Sequence, residues 1–202
     1  MIPLPRHYRK AIGPFLLLLL SSLLTSCAHA PAPTGHTVPA KRPQPAISVV
    51  RLEKQIHLLI NKERQKQGLS QLSADDALSL IARRHSRDMA ARKYFDHISP
   101  EGHDFAYRYR QGNYDCSVAT GSTIYKGAEN IAQNNLYDSV TTINGEAFFD
   151  WNSLDKIAET TVQGWMKSPG HRKNILMPHW NQEGIGVYIA PDDKVYITQN
   201  FC

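Results

Sequence analysis

The sequence has little net charge, few cysteines and no long apolar run. Three of its 23 basic residues and none of its 18 acidic residues precede Cys27, so residues 27–202 carry a formal net charge of only about +2. This charge gives no support for nucleic-acid binding, which usually needs a clear basic excess. The most apolar stretch, Ala11–Leu20, is far shorter than the roughly 20 residues of a membrane-spanning helix. Three cysteines allow at most one internal disulfide.

The first 26 residues have the pattern of a secretory signal peptide. Basic residues without any acid precede the apolar stretch, and small residues follow it. The segment Leu24–Cys27, which reads Leu-Thr-Ser-Cys, resembles a bacterial lipobox, in which the cysteine is acylated and becomes the new N-terminus. We therefore predict a lipoprotein signal peptide over residues 1–26 and a lipid on Cys27. The alternatives are a plain cleaved signal with an incidental cysteine and a single-pass anchor.

A proline-rich tether is predicted next. Five prolines stand among small and polar residues between residues 28 and 46, a composition with almost nothing to bury. The prediction is a lipidated cysteine and tether over residues 27–46 and one folded domain over residues 47–202. Such a chain would lie in the cell envelope, attached to a membrane by its lipid. Since Ala28 and not an aspartate follows Cys27, it resembles lipoproteins of the outer membrane that face the periplasm, if the host is Gram-negative.

The two remaining cysteines are Cys116 and Cys202. If Cys27 carries a lipid, they are left as a pair in an oxidising compartment, where disulfides form and persist. We expect a disulfide between them, which would join the C-terminus to the middle of the chain. Two free, buried cysteines are the alternative that the sequence leaves open.

Apolar residues recur at helical spacing in three stretches of the domain. The first helix, with Leu52 and Ile60 on its inner face, should end before Gly68. The second starts behind Ser73 or Asp75, and His85 lies on its apolar face. The default for such a histidine is a hydrogen-bonded core residue, so we leave it out of the site. The third is expected over Leu154–Lys167.

The strand signals come late in the chain. Two strand-like runs, 184–190 and 194–199, flank the turn sequence Pro-Asp-Asp. Helices followed by strands predict an α+β fold. A loop is expected at residues 95–102 with a short helix after it at 105–110, and a turn or short helix at residues 127–131. The aromatic-rich segment 135–155 is interpreted as a loop packed on the body, with an extra flap or a partner surface as the alternatives.

Three short segments give the chain its family resemblance. They read Phe-Asp-His-Ile-Ser-Pro-Glu-Gly at 95–102, Gly-Ala-Glu-Asn-Ile at 127–131 and Ser-Pro-Gly-His-Arg-Lys-Asn-Ile-Leu at 168–176. Together they resemble the CAP superfamily (cysteine-rich secretory, antigen 5, pathogenesis-related 1), in its bacterial SCP-like branch. The likeness extends over about residues 47–202, with the motifs in the family's order. It implies a three-layer α-β-α sandwich.

The resemblance also implies a site. The two matching histidines, His97 and His171, would line a central cavity and hold a divalent metal such as zinc, and Glu129 would be the acid or base beside them. Two histidines alone bind zinc weakly, since a catalytic zinc site normally has three protein ligands and an open position. Eukaryotic relatives have a second glutamate a few residues after the tryptophan that matches Trp165, but here the matching residue is Ser168. A purely structural role for the three residues stays open.

Three functions remain in competition at this point. The first is a lipid-anchored envelope module whose cleft binds a small hydrophobic, peptide or envelope-polymer ligand, with or without a metal. The second is a metal-assisted hydrolase of peptide or glycan bonds, with Glu129 activating water. The third is a scaffold that docks a partner through the 135–155 segment. The missing second acid favours the first over the second.

Overall fold

The computed structural model describes residues 41–202. The predicted signal peptide, the predicted acylation site Cys27 and residues 28–40 of the predicted tether lie outside that range. Within it, no helix is long and apolar enough to cross a membrane. The elements, in chain order, are α1 (Val49–Lys66), β1 (Ser73–Ala74), α2 (Asp76–Arg92), α3 (Phe105–Gln111), β2 (Val118–Thr120), β3 (Thr123–Tyr125), β4 (Ala128–Asn135), β5 (Tyr137–Ile143), β6 (Glu146–Trp151), α4 (Leu154–Lys167), α5 (Pro169–Ile175), β7 (Gln182–Ile189) and β8 (Lys194–Phe201).

A four-stranded sheet in the order β1-β7-β8-β4 forms the middle layer. β7 and β8 form a hairpin, β4 pairs antiparallel with β8, and the two-residue β1 pairs parallel with β7. Helix α2 packs on one face of this sheet, while α1 and α4 pack on the other face and on each other. The predicted α+β class and the three-layer α-β-α sandwich are therefore confirmed.

The three long helices lie where apolar periodicity placed them. α1 carries its buried apolar residues on one face and ends before Gly68. α2 begins behind Asp75, whose carboxylate accepts a hydrogen bond from the Leu78 N–H at 2.8 Å and satisfies one of the free amides of the first turn. α4 has the predicted bounds, with Ser153 as its N-cap. Local capping and core periodicity agree in each case, which explains why these helices were predictable.

Two glycines of β7 bring α2 unusually close to the sheet. A Cβ atom added to Gly184 would lie 2.2 Å from the backbone nitrogen of Ser79, and one added to Gly186 would lie 2.0 Å from that of Arg83. Real Cβ contacts are essentially never so short, so only glycine permits this approach. The neighbouring β7 residues Ile185 and Val187 are buried in the main core with side chains of α1 and α4.

Three local predictions need correction. Residues 127–131 do not begin a turn or short helix, because Ala128 starts the eight-residue strand β4 and only Gly127, at φ +101°, turns the chain. The segment expected to be a packed loop over 135–155 is mostly a separate hairpin of β5 and β6. Pro169 does end α4, but it also opens α5 as its first residue, a position that tolerates proline well.

The disulfide between Cys116 and Cys202 is formed, as expected. Its Cα atoms lie 5.6 Å apart, and Cys116 is buried in a small cluster with Leu78, Ile81 and Tyr109. The bond joins the end of β8 to the segment before β2. It therefore holds the α3 region against the sheet, on the side where the candidate site lies.

Replacing Gly186 by alanine should destabilise the fold by about 2 kcal/mol, because the added methyl group has to push α2 away from β7. Urea unfolding of the two proteins measures the difference. Gly164→Ala is the matched control: Gly164 lies within α4 with open space around its Cβ position, so this change should stabilise by a few tenths to about 1 kcal/mol. Equal unfolding midpoints for Gly186→Ala and the wild type would contradict the close packing of α2.

Candidate functional site

The three predicted site residues come together at the free edge of β4. Glu129 lies in β4, His97 in the loop between α2 and α3, and His171 in α5. The Nδ1 atom of His97 lies 3.0 Å from Oε1 of Glu129. The rings of His97 and His171 have their centroids 6.2 Å apart and are inclined at 51°. His97 and His171 thus approach the edge of the sheet from its two opposite layers.

Glu129 is a buried anion paired with an arginine. The residue is only 4% exposed, and burying a carboxylate is costly unless it is paired and hydrogen-bonded. Arg108 of α3 compensates it: Nη2 donates to both carboxylate oxygens, at 2.8 and 2.7 Å. The same guanidinium donates to the backbone carbonyls of His97 and His103, both at 3.0 Å. Arg108 therefore positions Glu129 and the histidine loop at the same time.

His85 also belongs to this cluster, although the sequence analysis left it out. It is 1% exposed, and its Nε2 lies 3.8 Å from Oε1 of Glu129 without a hydrogen-bond partner. Burial lowers the pKa of His85 to about 4; the Glu129 charge opposes that shift and the Arg108 charge adds to it. His85 is therefore neutral near pH 7, and the expectation of a satisfied core histidine is wrong for its Nε2.

The contact with Glu129 determines the tautomer of His97. A carboxylate accepts hydrogen bonds, so in the neutral form of His97 the proton lies on Nδ1 and the lone pair on Nε2. The side chain is 45% exposed. For His171, burial and then the charge of His97 hold the pKa below its ordinary value. Both imidazoles are thus suited to bind a cation.

Two asparagines fix α5 and hence His171 beside β4. Asn174 donates to the backbone carbonyl of Glu129 at 3.2 Å and to the side chain of Asn130 at 2.9 Å. Asn130 in turn donates to the carbonyl of His171 at 3.2 Å. The sequence analysis had no separate role for α5, because Pro169 and Gly170 are typical of a turn.

Trp165 connects the same edge to α4. Its indole Nε1 donates to the carbonyl of Ile131 at 2.9 Å, and its side chain is buried in the main core. Ser168 lies between α4 and α5 and makes no capping hydrogen bond with its side chain. The position where relatives carry a second acid is thus occupied by a short, neutral side chain.

A cavity of about 330 Å³ lies beside Arg108 and His85. Its lining is polar and charged, with arginines, acids and aromatic hydroxyls, namely Arg84, His85, Asp88, Arg92, Tyr94, Ser99, Glu101, His103, Tyr107 and Arg108. Arg92 forms ion pairs with Glu101 and Asp88 across it. Its volume is at the lower end of the range of small-molecule pockets.

Sequence reasoning missed Arg108 and misjudged His85. Arg108 is one of several basic residues in a short helix, and nothing in its spacing points to a partner 21 positions later in the chain. The position of His85 in the sequence did indicate an unusual environment, because a titratable residue on an apolar helix face must be neutral or paired. The geometry shows that it is neutral and faces a buried carboxylate.

The sequence and the fold now define the class of protein. Residues 58–201 match the sequence model of the CAP family, described as the cysteine-rich secretory protein family. This chain therefore belongs to the CAP family. The match covers every element from the second half of α1 to the end of β8.

Two curated proteins of Bacillus subtilis (strain 168) are similar to this chain. It is 37% identical to the uncharacterized protein YkwD over 139 aligned residues. The aligned residues cover 69% of this chain and 43% of YkwD. It is 34% identical to the uncharacterized membrane protein YlbC over 149 aligned residues. The aligned residues cover 74% of this chain and 34% of YlbC. The chain thus spans less than half the length of these curated relatives.

Solved structures show the same fold. An extracellular protein with an SCP domain from Bacillus anthracis superposes with a TM-score of 0.53 at 31% identity, over 75% of this chain and 40% of that one. An outer surface protein of Borrelia burgdorferi superposes with a TM-score of 0.57 at 17% identity, over 77% of this chain and 94% of that one. The second likeness concerns the fold alone.

Removing only one member of the Arg108–Glu129 pair should be far more harmful than removing both. Arg108→Gln leaves the Glu129 carboxylate buried without a cation and should cost about 3 kcal/mol of unfolding free energy. The double variant Arg108→Gln/Glu129→Gln should recover at least half of that loss. Urea unfolding of the wild type, Arg108→Gln, Glu129→Gln and the double variant forms a double-mutant cycle. Additive losses would contradict the central role of this ion pair.

Acid should destabilise the fold partly through His85. The pKa of His85 is about 4 in the folded protein and 6.5 as its ordinary value, so the unfolded chain binds a proton first as the pH falls. Stability is therefore full above about pH 6.5 and declines down to about pH 4. In His85→Leu, thermal unfolding between pH 7.5 and 4.5 should show a smaller decline. An identical decline would mean that His85 does not resist protonation.

Proposed function

We propose that this protein is a lipid-anchored, ligand-binding module of the cell envelope whose site holds a divalent cation through His97 and His171. The observation that carries the proposal is the contact between Glu129 and Nδ1 of His97 at 3.0 Å. A carboxylate that accepts from one ring nitrogen fixes the tautomer and raises the basicity of the other nitrogen, as in many carboxylate–histidine–zinc sites. The proton on Nδ1 leaves the lone pair of His97 Nε2 free for the metal.

The spacing of the two rings fits a shared metal ion. With Zn–N distances of about 2.1 Å, two imidazoles on one zinc have ring centroids roughly 5 to 6 Å apart. The observed 6.2 Å between the centroids of His97 and His171 lies slightly above that range, so the two rings would have to move slightly closer to share one ion. The lowered pKa of His171 keeps its ring neutral near pH 7, and only a neutral imidazole can be a ligand.

The bound cation would supply a Lewis-acidic position to which an oxygen of the ligand can bind. In the described residues, no set of three histidine, cysteine, aspartate or glutamate side chains is arranged to hold a metal. A site with two protein ligands leaves positions open for water or ligand atoms, and it binds the metal weakly and reversibly. This chemistry is that of a metal-dependent binding site.

Glu129 is better suited to positioning than to catalysis. Both of its oxygens accept hydrogen bonds from Arg108, and its side chain is 1% exposed. A general base needs a lone pair within reach of the proton that it takes. The geometry therefore favours binding over the hydrolase alternative, in which Glu129 would have to activate water.

The cavity beside Arg108 suggests the chemistry of the ligand. The arginines and acids of its lining can bind a polar, envelope-derived molecule. Of the ligand types expected from the sequence, namely small hydrophobic molecules, peptides and envelope polymers, we propose an envelope-derived one. Nucleic acid stays excluded from this proposal, because the charge of residues 27–202 is low.

The position in the envelope is supported by the lipobox at Leu24–Cys27 and by two relatives. One relative is named an extracellular protein and another a membrane protein. A lipid on Cys27 would attach the domain to the bilayer through the tether. With Ala28 after the cysteine, the outer membrane, facing the periplasm, is the proposed location in a Gram-negative host.

Zinc binding to the full chain tests the site. After chelation and reconstitution in detergent, calorimetry should show one weak zinc site in the wild type. His97→Ala and His171→Ala should each weaken it at least about 10-fold, because each removes a ligand. Glu129→Gln should weaken it by about 10-fold, the usual effect of losing a residue that orients a ligand.

His103→Ala is the matched control for this experiment. His103 lies in the same loop as His97, but its ring stacks on Tyr107 at 3.6 Å, away from His171. The His103→Ala variant should bind zinc as tightly as the wild type does. Absence of zinc binding by the wild type, or normal binding by both ligand variants, would refute the metal site.

A further inference from the structure

The β5–β6 hairpin stands apart from the main sheet. Its two strands pair only with each other, and most of β5 is exposed. The base of the hairpin carries an aromatic group, in which Phe149 stacks on Trp151 at 4.8 Å and Tyr137 meets Phe149 edge-on at 5.2 Å. Trp151 also packs against the main core. The hairpin is thus firmly held at its base, and the indole N–H of Trp151 is available to a neighbour.

That neighbour is the segment before α1. The indole Nε1 of Trp151 donates to the backbone carbonyl of Arg42 at 3.0 Å, and the Arg42 guanidinium pairs with Asp150. Two residues later, Gln44 donates to the carboxylate of Asp193 at 2.7 Å. Residues 41–46 form no helix or strand of their own. Their contacts join them to β6 and to the turn between β7 and β8.

We propose that this face of the hairpin, made of Asp150 and Trp151, is a docking surface for residues 41–46. These residues are the last part of the predicted tether and are called the linker below. The surface fits this segment because an acid faces Arg42 while an indole donor meets its carbonyl. Pro43 and Pro45 restrict the linker before it docks, which lowers the entropy cost of holding it. The aromatic-rich insertion thus has an occupant within the same chain.

Docking determines where the linker leaves the domain. Gln44 is held by Asp193, whose carbonyl accepts from the Leu136 N–H at 2.8 Å, just past the end of β4. Glu129 lies at the other end of that strand, and six residues at about 3.4 Å each separate Glu129 from Asn135 by about 20 Å. The linker therefore departs at the end of β4 opposite to the site.

Trypsin cleavage of the full chain in detergent tests the docking. The bond after Lys41 is the reporter, because the following Arg42–Pro43 bond resists trypsin. The double variant Asp150→Asn/Trp151→Phe removes the ion pair and the indole donor but keeps an aromatic ring in the stack. A surface ion pair and one hydrogen bond together should slow trypsin cleavage of the peptide bond after Lys41 about 10-fold. We therefore expect about 10-fold faster cleavage after Lys41 in the double variant, measured by mass spectrometry.

Asp138→Asn on β5 is the control, since Asp138 is exposed on the same hairpin and contributes none of the contacts to the linker. It should be cleaved as slowly as the wild type and melt at the same temperature, while the melting temperature of the double variant should fall by no more than a few degrees. Equal cleavage rates in the wild type and the double variant, or wild-type cleavage as fast as that of a free peptide of residues 36–48, would overturn the proposal. Loss of the zinc site with retained protection would instead refute only the proposed function.

Discussion

The ion pair between Glu129 and Arg108 is the interaction on which the site depends. A carboxylate that is 4% exposed needs compensation, and Arg108 supplies it while also binding the carbonyls of the His97 loop. Four segments consequently meet at one charge: β4 with Glu129, α3 with Arg108, the loop with His97 and α2 with His85. Loss of the arginine would release the loop as well as the carboxylate.

Side chains from the helices cover both edges of the sheet. At the β7 edge, Glu53 of α1 accepts from the Val187 N–H at 3.0 Å and from Arg83 of α2. At the β4 edge, Asn174 and Trp165 bind outward-facing carbonyls. Unpaired strand edges invite association with other chains, and covering them prevents it. The candidate site is thus built from the same contacts that protect the edge of β4.

The parts that were predictable from sequence are those with local causes. α1, α2 and α4 have apolar faces, capping residues and breakers within their own sequence, and the β7–β8 hairpin has a turn between two strand-like runs. β4 was misjudged because Glu129 and Asn130 are polar, and their burial depends on Arg108 and Gln199 from distant parts of the chain. Motif resemblance placed His97, Glu129 and His171 in one site, while no local pattern could reveal Arg108.

The chemistry of the site follows from which acid is engaged and which is absent. Glu129 is occupied by Arg108 and His97, and Ser168 stands where relatives place a second carboxylate. Acid–base catalysis usually requires two groups with different proton affinities that both reach the substrate. Here the groups that face solvent are the imidazoles of His97 and His171, neither of which is a free carboxylate base. The proposed binding of a ligand through a metal therefore suits this arrangement better than acid–base catalysis does.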